Sequence, residues 1–158
     1  MEAKEKTTET FRLCTWFGLK AGVEIGAGFW HKTGFGSFLV PHPPLANWLL
    51  RRGLLPDDRN RLTITHELGH LQTLPVYFFY TVLLIAILIN SEPKSFVELT
   101  LAFVSTLAAW EIISEIYTIY HAGPLYKLYY QGVSILPRLL FWTTMAVLTL
   151  SGWVIVLT

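Results

Sequence analysis

Residues 71–89 read LQTLPVYFFYTVLLIAILI, 19 residues in a row without a charged side chain. A helix of roughly 17–25 such residues crosses a bilayer, where every backbone polar group must be satisfied internally. Residues 139–158 form a second uncharged run, of 20. Residues 95–120 form a third apolar stretch, broken only by Glu98, Glu111 and Glu115. Composition agrees: 53% of the 158 residues are hydrophobic and 15% charged, with mean hydropathy +0.45. An average soluble domain carries about 25% charge. The expected fold is one mainly α, polytopic membrane bundle with three transmembrane helices, or four if residues 11–30 also cross. Disorder and a secreted disulfide scaffold are excluded, the latter because Cys14 has no internal partner. The same apolar composition excludes a nucleic-acid binder and makes the lipid bilayer an expected partner, whereas a net charge of +1 identifies no partner by itself.

Working outward, residues 1–10 are a charged tail without the apolar core of a cleavable leader. Residues 11–56 are rich in glycine and proline. From Phe11 to Phe29 nearly every odd position is apolar, which suits a β-ribbon, whereas Gly18, Gly22 and Gly26 recur at the spacing of a packed membrane helix. Both readings stay open. Leu45 to Leu55 is a short amphipathic stretch. Pro56-Asp57-Asp58 predicts a helix start with an aspartate cap, and the helix should run from about Arg59 to Ile89 with a kink at Pro75. Asn90–Lys94 predicts a tight turn whose proline begins the next helix, about Ser95 to Tyr120. A break at His121-Ala122-Gly123-Pro124 precedes a last span from about Val133 to Leu157. Residues 57–120 thus form a helical hairpin, and residues 121–158 a loop and final span. Arg51, Arg52, Arg59, Arg61, Lys127 and Arg138 all flank one side, which the positive-inside rule assigns to the cytoplasm, most simply at the plasma membrane.

The chemistry sits in His66-Glu67-Leu68-Gly69-His70. With five His and nine Glu in the chain, an HExxH arises by chance in about one such sequence in a hundred. On a helix, residues i and i+4 share a face, so both imidazoles reach one ion, and Glu67 stands beside them to take a proton from water. A zinc ion needs a third protein ligand. Counting away from the turn at Asn90–Ser91, His70 and Glu111 fall level in an antiparallel pair, as do His66 and Glu115. Two histidines and two glutamates should therefore meet at one depth, about 30 Å from the turn and close to the cytoplasmic interface.

HELGH followed by Glu111-Ile112-Ile113-Ser114-Glu115 resembles the gluzincin metallopeptidases, the group that includes thermolysin and the membrane-bound CAAX prenyl proteases. The resemblance covers about residues 62–120. It implies that His66, His70 and Glu111 bind a single zinc ion, that Glu67 is the general base, and that Glu115 orients a histidine ligand from behind, where the family usually carries aspartate. Residues 11–40 could then supply an edge strand. The expected activity is zinc-dependent hydrolysis of a peptide or membrane-protein substrate. His121, with Tyr117 and Tyr120, is a further candidate as a hydrogen-bond donor to the oxyanion. His31 and His42 read as surface groups. A di-iron carboxylate oxidoreductase is the alternative, because Glu67-Leu68-Gly69-His70 is also an ExxH. A non-catalytic metal-binding membrane protein is the third reading.

Overall fold

The structure, a computed structural model, describes residues 9–26, 31–35, 38–42, 45–132 and 134–158. Period two wins in the N-terminal region. Strands β1 (Glu9–Cys14), β2 (Lys20–Ile25), β3 (His31–Phe35) and β4 (Phe38–His42) form an antiparallel meander in the order β1-β2-β3-β4. Ala21, Val23, Ile25, His31 and Thr33 line its buried face, while Arg12, Cys14, Lys20 and Lys32 face outward. Gly22 lies opposite Gly34 in the ladder, and a Cβ at Gly22 would press on Leu39. The glycine spacing therefore serves a sheet, and no fourth span arises here. The tail before Glu9 and the part of this region at residues 27–30 lie outside the described residues.

Six helices follow among the described residues: α1 (Leu45–Leu50), α2 (Pro56–Gln72), α3 (Leu74–Asn90), α4 (Phe96–Ala122), α5 (Pro124–Gly132) and α6 (Ile135–Leu157). By length and composition α4 and α6 are apolar enough to cross a membrane, and α2 with α3 qualifies as one span bent by 54°. The bend falls at Thr73, whose hydroxyl donates to the Gly69 carbonyl at 2.7 Å. Pro75 sits in the first turn of α3, where its missing N–H costs nothing, so the expected kink is a break between two helices. At the start of α2, Leu55 and not an aspartate occupies the cap. Pro56 takes the first turn, with Asp57 and Asp58 placed to favour the helix dipole. The next helix is capped at Ser95, at the expected start, through a reciprocal capping box with Glu98, and Pro93 lies before it. Helix α5 occupies most of what the sequence reading leaves as a loop.

Helix α4 is the central element, packed against α2 on one side and α6 on the other. Leu62, Ala108, Tyr126, Tyr129, Phe141 and Met145 form the core at the end nearest the sheet. Gly152 of α6 rides directly on Ser105 of α4, leaving no space for a larger residue. Exposed apolar side chains such as Phe78, Phe79, Phe103 and Leu150 cover the outside of α3, α4 and α6.

Candidate metal centre

Helices α2 and α4 touch where Gly69 meets Ser114; a Cβ at position 69 would lie 3.0 Å from the Ser114 carbonyl oxygen. That close approach brings HELGH against EIISE in the register the hairpin arithmetic requires. His66 Nε2 stands 3.2 Å from His70 Nε2 and 3.3 Å from Glu111 Oε2, while His70 Nε2 stands 3.4 Å from Glu111 Oε1. Ligands about 2.0–2.1 Å from a tetrahedral ion are about 3.3–3.4 Å apart, so the donor set fits a metal of that size. His66, Glu67 and His70 are all buried, with ligand atoms within 4.8 Å of one another, and form a group that could hold a metal ion. Glu111 is the open member, its side chain 35% exposed.

Each ring is fixed through its other nitrogen. His66 Nδ1 lies 2.8 Å from Glu115 Oε2, and His70 Nδ1 lies 2.7 Å from Ser114 Oγ. These contacts turn both Nε2 atoms toward Glu111, as a metal-binding imidazole requires. Trp110 packs its edge against the His70 ring and is itself stacked on Tyr77 at 4.2 Å.

Three residues that the sequence reading does not assign complete the site. Arg51, 1% exposed, donates from Nη2 to Glu115 Oε2 at 2.5 Å and from Nη1 to Asn47 Oδ1 at 2.8 Å. Tyr126 of α5 donates to the second oxygen of Glu115 at 2.8 Å. Burying a charge is tolerable only when it is paired and hydrogen-bonded, and Glu115 meets that condition on both oxygens. Thr33 donates to Glu67 Oε2 at 2.6 Å.

His31 corrects a further expectation. It is buried, not at the surface, with Nε2 2.7 Å from Glu67 Oε1. Its signal was present: the odd-position parity that buries Val23 and Ile25 continues through His31 and Thr33, because Ile25 pairs with His31 across the ladder. The side chain of His42 lies outside the described residues. A cavity of about 10 Å³, lined by His31, Asn47, Arg51, His66, Glu67 and Glu111 among others, has room for about one water.

His121 does not join this cluster. It is exposed, stacks on Tyr117 at 3.8 Å, and lies ten residues beyond Glu111, about 15 Å along α4. The helix-end position that made it a candidate carries its ring away from the site.

No family model, curated protein or solved structure matches this chain.

Proposed function

We propose that the protein is a membrane-embedded zinc metallopeptidase. The observation that carries this reading is the triangle of His66 Nε2, His70 Nε2 and the Glu111 carboxylate, with sides of 3.2, 3.3 and 3.4 Å. Glu111 completes the ligand set in preference to Glu67, because its oxygens face both Nε2 atoms whereas both oxygens of Glu67 are held by β3. A zinc ion held there would supply Lewis-acid polarisation of a peptide carbonyl and acidify a water. Glu67, at the water-sized cavity, takes the proton of the attacking water and returns it to the amide nitrogen as the C–N bond breaks. Thr33 and His31 hold its carboxylate in place for both transfers. Glu115, backed by Arg51 and Tyr126, keeps the His66 ring turned toward the site.

The di-iron alternative would draw Glu67 and Glu115 in as further ligands. Both carboxylates already accept hydrogen bonds on both oxygens, which leaves one ligand triangle and favours a single ion. The bilayer setting rests on the apolar surfaces of α3, α4 and α6. Helix α3 has 17 residues, about 26 Å, close to the hydrocarbon thickness, so its junction with the polar α2, at Gln72, would lie near the interface. We read that side, which carries Arg51 and Arg52 after α1 and Arg59 and Arg61 in α2, as cytoplasmic by the positive-inside rule, and propose the plasma membrane as the location.

Elemental analysis of the purified protein, beside peptide hydrolysis, tests the reading. One zinc per chain is expected, lost in Glu111→Ala and in His66→Ala. Glu67→Gln should retain the zinc and abolish hydrolysis. Two irons per chain, or full turnover by Glu67→Gln, would refute the assignment.

A further inference from the structure

We propose that the tip of the β1–β2 hairpin is a lipid-docking element that seats in the headgroup layer of an anionic membrane, beside the junction of α2 and α3. The inference rests on the bilayer setting proposed above and is independent of the hydrolase chemistry.

The tip, Thr15 to Leu19, is closed by Thr15, whose hydroxyl accepts the Leu19 N–H at 2.9 Å, and turns at Gly18 with φ 85°. It presents Trp16 at 73% exposure and Leu19 at 47%. Large apolar groups on a tight, polar-bonded turn cost solubility unless something apolar receives them. Its position says what receives them. Trp16 N–H donates to Gln72 Oε1 at 2.8 Å, and the Trp16 indole donates to the Gln72 carbonyl at 2.9 Å. Gln72 is the last residue of α2. Two residues later α3 begins, and its Val76, Phe78 and Phe79 are all more than half exposed. The hairpin is thus fastened at the level where the apolar outer surface starts, so its tip extends that surface sideways.

The charge order points to the same occupant. Lys20 follows Leu19 directly, and Arg12 stands on the same outward face one strand over. Lys32, a third cation of that face, is paired with Glu24 at 2.9 Å, whereas no ion pair engages Arg12 or Lys20 among the described residues. An open groove of about 680 Å³ passes between Arg12, Lys20 and Leu39 over Gly22, which has no side chain to fill it. An indole at the tip with cations behind it reproduces the order of acyl boundary and phosphate layer across a bilayer surface. The groove offers those phosphates a seat.

The full chain, in a Cys14→Ser background, would be spin-labelled at Leu19→Cys, at Leu83→Cys on the outer face of α3, or at Arg61→Cys on α2. Each variant would be reconstituted into phosphatidylcholine vesicles with or without phosphatidylglycerol. Labels at 19 and 83 should collide with oxygen several-fold more than with a water-soluble nickel chelate, and the label at 61 should show the reverse. Oxygen preference at 83 with chelate preference at 19 overturns the docking proposal alone. Chelate preference at 83 as well overturns the bilayer setting with it. Adding Arg12→Glu and Lys20→Glu should abolish the oxygen preference at 19 in phosphatidylglycerol vesicles while leaving 83 unchanged. An unaltered label at 19 would overturn the anionic headgroup as the occupant.

Discussion

Glu115 has no solvent contact, yet three donors reach its two oxygens: Arg51, Tyr126 and His66. Removing Arg51 leaves a buried charge without its counter-ion. Arg51→Met should therefore lower stability by about 3–5 kcal/mol in a denaturant titration, and Tyr126→Phe by about 1 kcal/mol. Both should weaken zinc binding, Arg51→Met by about 10–100-fold, because the His66 ring loses its fixed direction. Thr33 acts on the other carboxylate. Thr33→Val should keep its zinc and lower kcat about tenfold with KM little changed, and Thr33→Ser should restore the rate. Steady-state kinetics beside elemental analysis would check this pair. At this scale the sequence discloses unevenly. HELGH is visible because its members are four apart on one helix. Arg51 is not, because its carboxylate lies 64 residues away and only the folded chain joins them.

Among the elements, the contact of α2 with α4 sets the geometry of the candidate metal site, and Gly69 is what permits it. Gly69→Ala places a methyl 3.0 Å from the Ser114 carbonyl and 3.2 Å from Tyr117 Cβ, so the helices must part by a few tenths of an ångström. The expected result is unchanged helicity by circular dichroism with zinc binding reduced at least as much as in Arg51→Met. A milder element-scale effect belongs to Ser95→Ala, which removes the cap of α4 and should cost about 1 kcal/mol. The antiparallel register of these helices was readable from the distances of His66, His70, Glu111 and Glu115 to the turn, since rise per residue is nearly constant. Helix ends were less readable. Leu55 displaced the expected aspartate cap of α2 because a proline in the first turn fits more than one position, whereas α4 starts at Ser95 as expected. Helix α5 escaped notice because nine residues with three tyrosines resemble an interfacial loop.

For the whole molecule, the ion would tie α2 to α4, and through Glu67 and Glu115 would also bear on the sheet, α1 and α5. Stripping zinc with a chelator should lower Tm by about 5–10 °C if the ion is bound about a hundredfold above its Kd. Glu111→Ala should show no such shift, which differential scanning fluorimetry in detergent would reveal. One consequence concerns synthesis. His31, Thr33 and Arg51 leave the ribosome before HELGH does, and Glu111 only 44 residues after Glu67. A nascent chain halted between His70 and Glu111 holds Glu67 and both imidazoles but not the acid that would close the proposed coordination triangle. On the zinc reading proposed above, the site is incomplete while the chain is being made and would take its ion only after the second long helix has been laid beside the first.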